Sequence, residues 1–350
     1  MARFWLKFTA GLLCLVVALE LAFRLLPVST ATLTGYYIDA DLLTYPPGHS
    51  WKVATGWDLR NAQRLQANSH GFASHREFES NPNAVALIGD SYVEASMLAA
   101  QDRPGAQLER QLGGRAVFPL GTPGTALLDY AQRIRYASER FGVKDFVVLM
   151  EAGDARQSLC GSGNVVSRCL DAKTLQATVE RQAAPSTAKR WLRHSALAQY
   201  INSQLKFRPE AFWRSVWTRQ TPELQAAKPD DLDRATVRQA DVERSRQVID
   251  AVLDRFFSEI APYAKGRLVI AVDGSRGVEP TPPSDGQFER AYLIASLRER
   301  GATVVDLESI FRKHALASGR SLEVGPYDAH LNAIGVGLAM QASTSALLHP

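Results

Sequence analysis

The chain is short of cysteine, of clustered charge and of internal repetition. Its three cysteines are too few for a four-ligand sulfur site. Cys160 and Cys169 form a C-x8-C pair with no second ligand pair beside it, which makes a poor zinc signal. The net charge of +4 is a mild excess with no Lys/Arg block, so nucleic-acid binding gains little support. No fixed-period repeat is present, which disfavours solenoids and propellers. What the chain does hold is apolar: 46% of its 350 residues, enough for a sizeable core and against wholesale disorder.

The N-terminus carries the longest apolar run. In MARFWLKFTAGLLCLVVALELAFRLL, Arg3 and Lys7 precede an uncharged stretch from Phe8 to Leu19, and Glu20 and Arg24 follow at i,i+4. A helix from Phe4 to Leu26 would be roughly 34 Å long, sufficient to span a bilayer core if Lys7 snorkels. The charge order leaves the N-terminus in the cytoplasm. The expectation is therefore an uncleaved inner-membrane anchor over 1–26 with the body in the periplasm. The alternative is a cleaved signal peptide, for which Ser29, Thr30 and Ala31 offer small residues. Cys14 is a poor lipid-attachment site, because Leu12 and Leu13 precede it. With the body outside the cytoplasm, Cys160 and Cys169 could close a disulfide; in a reducing compartment they would remain two free thiols.

Residues 27–80 are turn-rich (Tyr45-Pro46-Pro47-Gly48) without strong periodicity and read as an extension lying on the main domain, 81–345. Within that domain five short runs rich in Val, Ile and Leu occur at 84–88, 115–120, 145–150, 267–272 and 303–307. They suit doubly buried parallel strands. Helix-compatible segments at 100–112, 126–141, 242–261 and 288–300 separate them. Alternation of this kind predicts a parallel sheet covered on both faces, with ligands at the strand C-termini. The stretch 171–240 departs from it. It is polar, carries Trp191, Tyr200, Phe212, Trp213 and Trp217, and reads as a helical insertion. Its aromatics would either staple it to the core or shape substrate access.

Two motifs could carry chemistry. Gly89-Asp90-Ser91-Tyr92 follows the first strand and opens a helix, where unpaired backbone N–H groups favour negative charge. Capping by Ser91 is the competing reading. Asp328-Ala329-His330-Leu331-Asn332-Ala333-Ile334-Gly335 precedes the last helix. Asp328 and His330, two apart in an extended segment, point to one side, so the carboxylate could orient an imidazole acting as base toward a serine. A surface loop or half a metal site would look the same. Asp273 and Asp306 lie near strand ends and read as turn caps. His70, His75, His194 and His314 have no motif partners.

Taken together, Gly89-Asp90-Ser91-Tyr92, Gly121 after the second strand, Gly153-Asp154 after the third and Asp328-x-His330 near the end resemble the SGNH/GDSL hydrolase superfamily over about residues 81–345. The resemblance implies a flavodoxin-like three-layer α/β/α sandwich with a five-stranded parallel sheet. It also implies Ser91 as nucleophile, His330 as base and Asp328 as its orienting acid. The oxyanion hole would use the Ser91 and Gly121 N–H groups, with Gly153 in the third place. No cofactor or metal is implied. Two departures stand out. The family's third block usually supplies an Asn side chain, and here Gly153 occupies that place, leaving a backbone N–H, Gln157 or Asn164 as substitutes. The terminal block is Asp-x-His rather than Asp-x-x-His, similar to the branch containing alginate O-acetylation proteins and other membrane-tethered, exopolysaccharide-associated members.

That branch implies an acyl, usually acetyl, group on an extracytoplasmic polysaccharide as substrate, and exopolysaccharide biosynthesis proteins as partners. Hydrolysis and O-acyl transfer remain alternatives. So do a catalytically inactive carbohydrate-binding or assembly protein on the same fold, and a phospholipid or thioester hydrolase.

Overall fold

The computed structural model describes residues 1–164, 167–183, 185–205, 231–277 and 285–349, with backbone alone for 231–240 and 285–286. Helix α1 (Ala2–Leu25) precedes two antiparallel hairpins, β1–β2 (Gly35–Asp39, Leu42–Thr44) and β3–β4 (Ser50–Thr55, Arg60–Gln66). A five-stranded sheet follows, built from β5 (Val85–Gly89), β6 (Val117–Gly121), β7 (Asp145–Met150), β10 (Leu268–Val272) and β11 (Thr303–Asp306). A small antiparallel pair, β8 (Arg168–Leu170) and β9 (Ala177–Val179), stands apart. The helices are α2 (Ser91–Glu94), α3 (Pro104–Gln111), α4 (Leu127–Phe141), α5 (Asp154–Gln157), α6 (Thr187–Leu192), α7 (Ala196–Gln199), α8 (Asp231–Ile260), α9 (Asp285–Glu299), α10 (Leu307–Ser318) and α11 (Ala333–Leu348).

The sheet runs β11-β10-β7-β5-β6 with every pair parallel. Renumbered along the chain this is the flavodoxin-like order, so the expected fold class is met. The first sheet strand, β5, lies between the second and third, β6 and β7. The chain crosses to opposite sides of β5 to build these two neighbours, which opens a crevice at the C-terminal ends of β5 and β7, where open α/β sheets bind ligands.

Side-chain alternation explains why both faces are covered. In β5, Ala86 and Ile88 join one core cluster while Val85 and Leu87 join the other. In β7, Phe146 and Val148 face the first cluster, and Val147 and Leu149 the second. A strand buried on both faces has no polar position to spare, which is why these runs are continuously apolar. Helices α4, α8 and α9 cover the first face, and α3, α10 and α11 the second. Helix α4 shows the helical counterpart of the pattern. Leu127, Tyr130, Ala131, Ile134, Ala137 and Phe141 are buried at three- and four-residue spacings. The Asp129 carboxylate accepts the Ala126 N–H at 3.0 Å at its start, and Gly142 at φ 73° ends it.

Residues 27–80, which lack strong sequence periodicity, nevertheless form the two hairpins. Their polar residues are held by packing instead. Tyr45 stacks on Trp51 at 4.0 Å, and its hydroxyl donates to buried Glu94 at 3.0 Å, joining the hairpins to α2. The stretch 171–240, read as helical, opens with strand β9 before α6 and α7. Of its aromatics, Trp191 is 76% exposed and so does not staple the segment to the core. Tyr200 stacks on Phe23 of α1 at 4.3 Å. Phe212, Trp213 and Trp217 lie outside the described residues.

Candidate active site

The turn after β5 is shaped by two glycines. A Cβ on Gly89 would lie 2.6 Å from the Leu149 carbonyl oxygen, and one on Gly121 would lie 2.6 Å from the Glu94 amide nitrogen and 2.8 Å from the Asp90 carbonyl oxygen. Only glycine lets β6 and β7 close on the first turn of α2. The capping duty falls to Asp90, whose Oδ1 accepts the Tyr92 N–H at 2.8 Å. Ser91 is thus the first helical residue, and its hydroxyl is left for another partner.

That partner is His330. Its Nε2 lies 2.9 Å from Ser91 Oγ, and its Nδ1 lies 2.6 Å from Asp328 Oδ1. The same carboxylate oxygen accepts the His330 backbone N–H at 2.9 Å, which fixes the two-residue spacing. The remaining motif residues hold this loop. Val324 N donates to the His330 carbonyl at 2.9 Å, and Gly325 N to the Asp328 carbonyl at 2.7 Å. The Asn332 side chain caps α11 by accepting from Ile334 and Gly335, both at 3.0 Å. A Cβ on Gly335 would come 2.9 Å from the Leu322 carbonyl oxygen. The Asp328 side chain is 13% exposed and that of His330 30%, so the orienting carboxylate is shielded while the imidazole stays reachable.

The surroundings are strongly charged. Burial pushes the His330 imidazole down, but Asp328, Asp90 and Glu151 together hold it above its ordinary 6.5. Burial raises Asp90 to about 6, with Glu151 adding to the rise and the Tyr92 amide, His330 and Arg133 opposing it. Asp154 is pushed well above the usual carboxylate range by burial, with Asp90 and Glu151 adding to it. Its Oδ2 accepts from the Tyr130 hydroxyl and the Glu151 N–H, both at 3.0 Å, so it braces the loop after β7.

Sequence reasoning missed two arginines. Arg133, fully buried on α4, donates to the Gly89 carbonyl and places a positive charge beneath the Ser91 turn. Arg276 follows β10. Its guanidinium lies 2.5 Å from Asp273, 2.8 Å from the Tyr92 hydroxyl and 5.6 Å from the Tyr92 ring centroid, and it also donates to the Ala329 carbonyl between Asp328 and His330. The Tyr92 ring in turn packs against the His330 ring at 4.9 Å. Neither arginine belongs to a motif. Both are recruited through space, and only the strand-end position of Asp273 hinted at the second.

The third place differs from the first two. Gly153 caps α5, and a Cβ there would lie 3.1 Å from Gln157 Nε2. The glutamine amide therefore occupies the space that a side chain at 153 would enter. Asn164 Nδ2 donates to Gln157 Oε1, so the donors of the Gln157 amide are the hydrogens on Nε2, the atom beside Gly153. Asp306 caps α10 through the Glu308 N–H at 3.0 Å, and His70 pairs with the Tyr136 hydroxyl at 2.8 Å, away from the triad. Cys160 and Cys169 are joined as a disulfide, and the remaining cysteine, Cys14, is exposed on α1.

No family model matches this sequence, and no curated protein matches it significantly. Similar solved structures include LAE5, an alpha/beta hydrolase enzyme from the metagenome of Lake Arreo, Spain, at 14% identity and TM-score 0.38, covering 77% of this chain and 98% of that one. A member of the lipolytic G-D-S-L family from Veillonella parvula is similar at 10% identity and TM-score 0.41, covering 76% and 99%. Axe2, an acetylxylan esterase from Geobacillus stearothermophilus, is similar at 12% identity and TM-score 0.40, covering 78% and 96%. Likenesses of this size carry nothing about chemistry.

Proposed function

We propose that this chain is a serine ester hydrolase or O-acyltransferase of SGNH type, held by α1 at the inner membrane with its domain in the periplasm, acting on acetyl groups of an extracytoplasmic polysaccharide. The carrying observation is the continuous Ser91–His330–Asp328 relay, with links of 2.9 and 2.6 Å, at the crevice between β5 and β7. In this reading Ser91 Oγ attacks the ester carbonyl as its proton passes to His330 Nε2. The C–O bond then breaks, the alcohol leaves with that proton, and acyl-Ser91 remains. Water or a sugar hydroxyl, deprotonated by His330, attacks the acyl-enzyme and frees Ser91.

The tetrahedral oxyanion would be held by the Ser91 and Gly121 N–H groups and, at the third place, by Gly153 with the Gln157 amide. Each such donor is typically worth about 3 kcal/mol in the transition state. An open cleft of about 460 Å³ borders the His330 loop, lined by Gly274–Gly277 and Ser321–Glu323. Ser275, Ser321 and Glu323 on its walls offer hydrogen-bonding partners to a hydroxyl-rich acceptor.

The 24-residue apolar α1, none of whose residues is buried, supports the anchor, and the disulfide supports an oxidising compartment. Residues of the alternative cleavage site are part of the fold. Ser29 Oγ accepts the Ala54 N–H at 2.8 Å, Thr30 N donates to the Lys52 carbonyl at 3.0 Å, and Ala31 N donates to Gln199 at 2.7 Å.

The test is a serine-reactive fluorophosphonate, with a chromogenic acetyl ester as substrate, on the full chain in detergent. Wild type should be labelled and turn over, and Ser91→Ala should lose both. Absence of labelling in folded wild type would sink the enzyme reading and favour a carbohydrate-binding or assembly role.

A further inference from the structure

The end of α1 is locked to the domain. Glu20 accepts the Ala196 and Leu197 N–H groups at 3.0 Å each and the Ser195 hydroxyl at 2.8 Å, so a residue of the apolar helix caps α7. Arg24 pairs with Glu20 at 2.8 Å. Phe23 stacks on Tyr200, whose hydroxyl donates to the Trp57 carbonyl at 2.7 Å. The connection past Leu25 has no slack, because Val28 is already buried. Segment 187–205 is therefore a collar fastened against one side of the last two turns of α1.

Length decides where that collar lies. A bilayer core of about 30 Å takes about 20 helical residues. A span starting at Phe4 ends near Phe23, inside the fastened turns. A later start would sink the collar deeper. The collar therefore cannot stand clear of the head groups while α1 spans. Its surface fits that place. Trp191 is 76% exposed, Leu192 58%, Ile201 38% and neighbouring Trp57 60%. Lys189 and Arg190, just before Trp191, are exposed too, and residues 181–205 contain no Asp or Glu. Aromatic rings and cations without anions are the composition of a membrane interface facing anionic lipid.

We infer that the collar, through Trp191, Lys189 and Arg190, docks on the anionic head-group layer of the membrane that α1 crosses and fixes the domain's orientation there. This rests on the anchor reading. The full chain in mixed phosphatidylethanolamine–phosphatidylglycerol nanodiscs tests it. Spin labels are placed at Leu192→Cys or Val16→Cys in a Cys14→Ser background. The label at 16 should lie in the oxygen-rich core and the label at 192 at head-group depth. Adding Lys189→Glu and Arg190→Glu should raise access of a water-soluble nickel chelate to position 192 several-fold and leave position 16 unchanged. A label at 192 as open to the chelate with Lys189 and Arg190 present as in the charge-reversed chain, with 16 in the core, overturns the docking and leaves the anchor standing. A chain recovered without residues 1–31, or a water-exposed label at 16, overturns both.

Discussion

On the β5 side of the crevice, Ser91, His330 and Asp328 form an unbroken relay whose loop is pinned by Asn332, Gly335 and Arg276. On the β7 side, the residues from Glu151 to Asp154 bring two carboxyl groups and a glycine, and the amide that fills the glycine's space comes from Gln157, one turn further on. In the proposed reaction the first side would move the proton, and the second would add a third oxyanion donor to those of Ser91 and Gly121, in a field that Glu151 makes more negative. The difference teaches that the three relay side chains are in hydrogen-bonding contact, whereas the third oxyanion place of the proposed reaction rests on a substituted donor. Catalysis limited by the second side is the expectation.

The largest break in that comparison comes from the relay. Asp328→Asn should slow acetyl-ester turnover by about 10³–10⁴-fold, because the amide no longer fixes the imidazole tautomer or supports its charge. The pH midpoint of fluorophosphonate labelling should also fall. His330 is held above 6.5 in the folded protein, and it must be neutral to act as base. Wild-type labelling therefore rises with pH through a midpoint above 6.5, and the variant's midpoint should be lower.

Gln157→Ala tests the other side. If its amide faces the oxyanion, turnover should fall by about 10²-fold, while Asn164→Ala, which only releases the brace on Gln157, should cost less. An unchanged rate in Gln157→Ala would assign the third place to backbone alone. Glu151→Gln should act in the opposite direction. Removing its charge favours the oxyanion and lowers the His330 midpoint, and a few-fold faster turnover near neutral pH is expected; a slower enzyme would show that the carboxylate binds substrate instead.

The smallest effect concerns stability. Glu94, the last residue of α2, is raised by burial to about 7 from 4.5, with the Tyr45 hydroxyl opposing the rise. A carboxyl raised in the folded state holds its proton while the unfolded chain loses it, so stability declines as pH climbs from 4.5 to about 7 and is flat above. Glu94→Gln keeps an acceptor for Tyr45 and has no proton to lose. It should unfold in urea at pH 8 with about 1–3 kcal/mol more stability than wild type, and show no such gain at pH 4.

Much of this was legible in the linear chain because it is local. A strand buried on both faces must be apolar throughout, so β5, β6, β7, β10 and β11 announced themselves, and helix α4 did so by its spacing. The two hairpins of 27–80 did not, because Tyr45 and Trp51 are held by each other and by Glu94, contacts that no periodicity records. Gly89, Asp90 and Ser91 were readable as a strand-to-helix turn, and Asp328 and His330 as an extended pair.

The amino-acid order by itself determined the parallel sheet, the long apolar helix α1 and the types of residue able to move a proton, since periodicity and motif spacing act within a few residues. Tertiary structure alone decided that Ser91 meets a histidine 239 positions away, that Arg133 and Arg276 brace that meeting, and that Gln157 fills the space beside Gly153. Those contacts depend on strand order and on which strand ends adjoin, and a crossover that returns β7 to the opposite edge of β5 leaves no mark in the local pattern.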